Sequence, residues 1–186
     1  PISLEIAGAR LSLNQDGSVQ LQVGATEIGQ GADTVFSQMA AETLHMDISR
    51  VHIVTQQDTD VTPFDTGAYA SRQSFVTGTA VKECAQQLKQ KILEYARTLV
   101  PGNVDRLELE DGYILADGKP AISLEDLAME SYYSLSNSSV LTAEVSRQVK
   151  KNTVASGCCF AEVEVDMKLG KIKVLDIVNV HDSGTF

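Results

Sequence analysis

From Val76 to Leu99 apolar residues recur every three or four positions: Val76, Ala80, Cys84, Leu88, Ile92, Ala96 and Leu99. That period lays one apolar stripe along a helix of about seven turns. So long a stripe needs a broad surface to cover it, and Pro101-Gly102 ends the pattern. Strands supply that surface. Ile2, Leu4 and Ile6 alternate with small or polar residues, and Leu11 and Leu13 lead into the turn cluster Asn14-Gln15-Asp16-Gly17. Val19, Leu21 and Val23 return, which reads as a hairpin.

Further elements obey the same logic. A helix begins after Gly31, capped by Asp33 or Thr34, with Val35, Phe36, Met39, Ala40 and Leu44 as its apolar face. A short strand is expected at Val51–Val54 and a long polar loop over Asp58–Gly67. Leu107 and Leu109, then Tyr113 and Leu115, alternate around Asp111-Gly112 and predict a small hairpin. Ser123 caps a short helix carrying Leu124, Leu127 and Ala128. The last third is strand-like, from Val140 to Val149 and then on either side of Lys168-Leu169-Gly170, where β-branched residues dominate. There is no repeat, low-complexity stretch or linker. The fold expected is α+β: a mainly antiparallel sheet with two principal helices on one face, forming a single domain over residues 1–186.

A net charge of −10, from 15 Lys+Arg against 25 Asp+Glu, argues against a nucleic-acid partner. No run approaches the ~20 apolar residues that span a bilayer. The cysteines are Cys84, Cys158 and Cys159. Their spacing fits neither a disulfide framework nor a zinc site, so a reducing, cytoplasmic setting is expected. Nucleotide-binding loops of the Gly-x-x-x-x-Gly-Lys or Gly-x-Gly-x-x-Gly type are absent. A start at Pro1-Ile2 and an end at Gly184-Thr185-Phe186 suggest a segment of something longer.

Two loops carry chemical interest. Gly29-Gln30-Gly31 lies between a strand and a helix start, where glycine allows positive φ and free N–H groups suit an anion. Alone, the pattern is weak, and a tight strand-to-helix turn is its default reading. Asp65-Thr66-Gly67-Ala68-Tyr69-Ala70-Ser71-Arg72-Gln73-Ser74 precedes the long helix with small residues and hydroxyls, and Arg72 offers a planar fork to a phosphate. Alone, it equally describes a capping loop with a solvated arginine. Two such loops opening two helices of one domain are more specific than either.

The ordered set resembles the molybdenum hydroxylases, the family of xanthine dehydrogenase, aldehyde oxidoreductases and carbon monoxide dehydrogenase. Gly24 through Gly31, Thr62 through Val81, Ala155 through Asp166 and His181-Asp182-Ser183-Gly184 carry the resemblance. It covers nearly the whole chain, and Asp65 through Gln73 looks closest to bacterial xanthine dehydrogenase-like members. It implies a molybdenum-molybdopterin cofactor, often joined to cytosine dinucleotide, that hydroxylates a purine or aldehyde-type substrate with oxygen from water. Gln30 is implied to bond the pterin or its phosphate, with Gly29 and Gly31 clearing space. Tyr69, Ala70, Ser71, Arg72 and Gln73 are implied to line the cofactor, and Ala70 to stand beside metal and substrate. The implied partners are the remainder of the molybdenum subunit, with iron–sulfur clusters and FAD on other domains or subunits.

The family's glycine-flanked catalytic glutamate is not in the sequence, so no catalytic residue and no direct metal ligand is expected here. Glu27, read as a solvated loop residue, and Glu162 are poor substitutes. Thr185 stands where many members carry arginine. His181 is expected to be packed or capping, and Cys158 and Cys159 to be core. The rival reading is a non-catalytic scaffold sharing the fold.

Overall fold

The computed structural model describes residues 5–150 and 153–182. Ile2, Leu4 and the Ser183-Gly184-Thr185 stretch lie outside the described residues. The chain divides into two compact units, Pro1–Lys150 and Lys151–Phe186.

In the first unit, β1 (Ile6–Leu13) and β2 (Val19–Val23) form the expected hairpin. Their alternation is decisive: Ala7, Ala9, Leu11, Leu13, Val19, Leu21 and Val23 are all fully buried. With β3 (Val51–Ile53) and β7 (Thr142–Gln148) they make one sheet in the order β3-β2-β1-β7. Among the described residues only β2 and β3 run parallel, a pairing the intervening helix α1 (Ala32–Leu44) permits. The long helix α2 (Gln73–Leu99) buries the predicted stripe, and α1 and α2 share one core with the sheet. Gly78 is where the helices draw together. A Cβ there would lie 2.6 Å from the Met39 sulfur.

Around the Asp111-Gly112 turn, β4 (Leu107–Glu110) pairs with β5 (Tyr113–Ala116) as expected. A third strand, β6 (Lys119–Ser123), completes this small sheet and was not foreseen, since its residues do not alternate. Its signal was Asp117-Gly118, both at positive φ, a two-residue hairpin turn. Helix α3 (Leu124–Tyr133) opens as predicted, the Asp126 N–H donating to Ser123 Oγ at 3.0 Å.

The second unit is one hairpin, β8 (Ser156–Asp166) with β9 (Lys171–Asp182). A bulge leaves Leu175 unpaired between Asp176 and Val174. Two strands alone enclose no core. Cys158 and Cys159, expected to be buried, are therefore exposed, and so is His181, expected to be packed. Cys84 keeps its core place, its thiol donating to the Ala143 carbonyl.

What positions the loops is a handover at the sheet. β2 stops at Val23, and the strand position beside the start of β1 passes to the chain around Pro63–Asp65. There the Gly8 N–H donates to Phe64 O at 2.8 Å, and Ala7 bridges Asp65. Gly24 makes this possible, because a Cβ at that position would sit 2.1 Å from the Pro63 carbonyl oxygen. The loop leaving β2 and the loop entering α2 thus part from one point.

Two outcomes test this packing. Gly24→Ala is expected to destabilise the protein by roughly 1–3 kcal/mol through overpacking, read by urea unfolding; an unchanged midpoint would mean the Pro63 segment moves aside freely. Burial pushes the Cys84 thiol up to about 11. At pH 8 it should resist a thiol reagent until urea unfolds the chain, and native labelling at the rate of an exposed thiol would contradict the core described.

Candidate functional site

The loop between β2 and α1 turns on Glu27. Its carboxylate accepts the N–H groups of Gly29 (2.7 Å), Gly31 (3.0 Å) and Asp33 (3.1 Å). The helix start therefore already holds an anion, one from its own chain. These bonds, those from Asp33 and Gly31 foremost, hold the Glu27 carboxyl below its usual range. Glu27 was read as a solvated loop residue, and the structure corrects that. The signal was its position, two residues before Gly29 and four before Gly31. Gly31, not Asp33 or Thr34, is the N-cap of α1, with φ of 82°.

Asp33 has the opposite electrostatics. Its Oδ1 is buried with no hydrogen-bond partner among the described residues. Burial first, and then the Glu27 charge, push its carboxyl up.

Gln30 and Gln73 bring the two predicted loops together. The Gln30 amide nitrogen donates to Gln73 Oε1 and to Thr26 O, while its oxygen accepts the Ile28 N–H at 2.7 Å. Gln73 donates to the same Thr26 carbonyl at 3.2 Å. The second loop is a tight turn, closed by the Arg72 N–H on Tyr69 O at 3.2 Å. Its central residues, Ala70 and Ser71, sit at φ of 50° and 54°. Consecutive left-handed non-glycine residues are costly, about 1–2 kcal/mol each.

Arg72 is not solvated. Nε donates to Glu5 at 2.9 Å, Nη1 to Asp65 at 2.6 Å and to Gly67 O at 3.0 Å, and Nη2 to Ile6 O at 2.8 Å. The Arg72 side chain is 2% exposed and that of Asp65 0%. Burial alone would lower the Arg72 guanidinium, but the Glu5 and Asp65 carboxylates more than reverse this and raise it. Asp65 also accepts the Thr77 hydroxyl and the Gly67 N–H. The fork expected to face a phosphate is thus engaged inside the protein.

Together the loops border a groove of about 450 Å³, lined by Ile28, Gln30 and residues 68–74. Ala70, Ser71 and Ser74 are exposed along it. Helix α2 begins there without a side-chain cap, so its first N–H groups and dipole offer positive potential that α1 has already satisfied. Among the described residues no cluster of His, Cys, Asp or Glu can hold a metal ion. No helix among them is long and apolar enough to cross a membrane.

The model of the molybdopterin cofactor-binding domain matches residues 2–186. The chain belongs to that family. It is 48% identical, over 99% of its length, to the xanthine dehydrogenase molybdenum-binding subunit of Escherichia coli O157:H7, of which it covers 25%. It is 24% identical to the nicotine 6-hydroxylase large subunit of Paenarthrobacter nicotinovorans, covering 95% of this chain and 22% of that one. Among solved structures, CO dehydrogenase from Oligotropha carboxidovorans superposes with a TM-score of 0.83 at 25% identity, over 96% of this chain and 23% of that one. The expected resemblance to molybdenum hydroxylases is borne out, as is the α+β class. The chain spans about a quarter of the length of these two curated relatives.

The electrostatics of the first loop give a prediction. Glu27→Gln removes the charge that helps raise Asp33, so the Asp33 titration midpoint should fall part of the way toward the ordinary carboxylate value. Burial, the larger cause, remains. Carbon-detected NMR of the Asp33 carboxyl against pH measures it, and an unmoved midpoint would refute the coupling. In the native protein the Glu27 contribution to stability is present above the ordinary glutamate pKa and lost as pH falls through its depressed folded value. Asp33, raised, works the other way: ionisation above its ordinary range costs stability, and acidification through its raised value relieves that cost.

Proposed function

We propose that residues 1–186 form one segment of the molybdenum-cofactor-binding region of a larger oxidoreductase subunit, and that Gly29-Gln30-Gly31 and Tyr69–Gln73 grip the pterin cofactor. The observation that carries this is the Gln30–Gln73 contact, which joins the two loops at one groove beside the uncapped start of α2. The donor set suits a phosphate-bearing pterin. Backbone N–H groups at the start of α2, with the Ser71 and Ser74 hydroxyls, suit the phosphate end, in the plain or the cytosine dinucleotide form. Amide groups of Gln30 and Gln73 suit the ring, and Gly29 and Gly31, where an added Cβ would meet nothing, leave it room.

When bound, the cofactor supplies the redox chemistry of carbon hydroxylation with oxygen from water. This chain binds and orients it. Helix α1 takes no part in holding the phosphate, because Glu27 occupies its start. Ala70, small and exposed at the groove, leaves space for a purine or aldehyde-type substrate. No residue of this chain is assigned to proton transfer. We place the catalytic base in the remainder of the molybdenum subunit, and iron–sulfur clusters and FAD on other domains or subunits. Three free thiols fit a cytoplasmic setting.

In the whole molybdenum-binding subunit, Gln30→Ala is expected to lower molybdenum and pterin content roughly tenfold. Elemental analysis and the fluorescence of oxidised pterin measure this. Unchanged loading with an unchanged turnover rate would remove Gln30 from the site.

A further inference from the structure

We infer that Arg72 is a positioning residue: its buried guanidinium holds Ala70 and Ser71 in the left-handed backbone that shapes the cofactor groove, and does not itself bind the cofactor phosphate. The inference rests on the cofactor-binding reading only for what the turn faces; the conformation of the turn is independent of it.

A strained backbone persists where its surroundings over-determine it. Neither Ala70 nor Ser71 supplies that determination, since both are exposed and, among the described residues, neither side chain has a hydrogen-bond partner. Their neighbour Arg72 does. It is anchored on two separate pieces of chain: the start of β1, through Glu5 and the Ile6 carbonyl, and the loop before α2, through the Asp65 carboxylate and the Gly67 carbonyl. Its guanidinium carbon also lies 5.4 Å from the centroid of the Tyr69 ring, so cation–π attraction holds the residue that opens the turn. The Tyr69 hydroxyl shares a 3.0 Å hydrogen bond with that of Thr66. Both ends of the turn are thereby fixed, and the two residues between them are held at positive φ.

A phosphate-binding arginine presents a free fork. Here Nε, Nη1 and Nη2 all donate to protein oxygens, and two carboxylates stand against the guanidinium. An incoming phosphate would have to displace them. Lysine at this position keeps the charge and loses the fork, so it separates the two roles.

The test uses the isotope-labelled chain without cofactor. In Arg72→Lys, the φ-sensitive couplings and Cα/Cβ shifts of Ala70 and Ser71 should move toward averaged values, while core amides of α2 such as Leu88 and Ile92 keep their shifts. Adding Ser71→Asn, because asparagine tolerates the left-handed region, should restore the couplings while the melting temperature stays low. A merely structural arginine would not show that rescue. Couplings unchanged in Arg72→Lys overturn the inference, as does loss of the turn in step with the whole core. If Arg72→Lys does not fold, Asp65→Asn loosens the same brace from its other side and is read in the same way. Cofactor loading of the whole subunit is the separate arm. Normal loading in Gln30→Ala together with a loosened turn in Arg72→Lys would defeat the cofactor reading and leave the positioning role standing.

Discussion

The ion pair between Arg72 and Asp65 is the constraint on which the site depends. Removing one partner of such a buried pair typically costs about 3–5 kcal/mol, because the other is left charged and unmatched. Replacing both by apolar residues is often neutral, so stability alone does not explain the pair. Its geometry does. Asp65 is held beside β1 by the strand-like bridge to Ala7 and fixes the Thr77 hydroxyl in the first turns of α2. One carboxylate thus sets the distance between β1 and the helix start, and Arg72 completes the link to Glu5 and Ile6.

The two helix starts have been given opposite electrostatic treatment. At α1 the chain supplies its own anion, Glu27, and the loop is closed on itself. At α2 no side chain caps the helix, and the nearby cation is neutralised by carboxylates behind it. The positive potential left at the groove is therefore that of backbone N–H groups and dipole. Such groups are directional where a lysine would be diffuse, and they recognise an anion only when it arrives in the correct orientation.

Much of the fold could be read from periodicity. The stripe from Val76 to Leu99 and the alternation of Ala7 to Val23 mark out α2 and the central hairpin, because burial on one face imposes them. The parallel pairing of β2 and β3 could not be read, since three residues of strand carry no directional signal. β6 escaped because Lys119 and Pro120 face solvent on an edge, where nothing selects for alternation. At the site, proximity of the two loops was inferable but the roles within them were not. Arg72 looks the same in sequence whether its fork faces solvent or carbonyl and carboxylate partners far away along the chain. Glu27 was misjudged for a related reason, as its partners are backbone groups, which sequence does not distinguish.

The Gln30–Gln73 contact has one further consequence. A glutamine amide can in principle be turned end for end, so two facing amides need something to set their sense. Here the main chain does it. The Ile28 N–H points at Gln30 and requires an oxygen there, while the Thr26 carbonyl requires nitrogens from both residues. Gln73 Oε1 is then the only orientation left. The donor–acceptor polarity at the junction of the loops is thus written by two peptide groups of the segment before α1, and a glutamate at either glutamine position, though equal in shape, would set oxygen against oxygen.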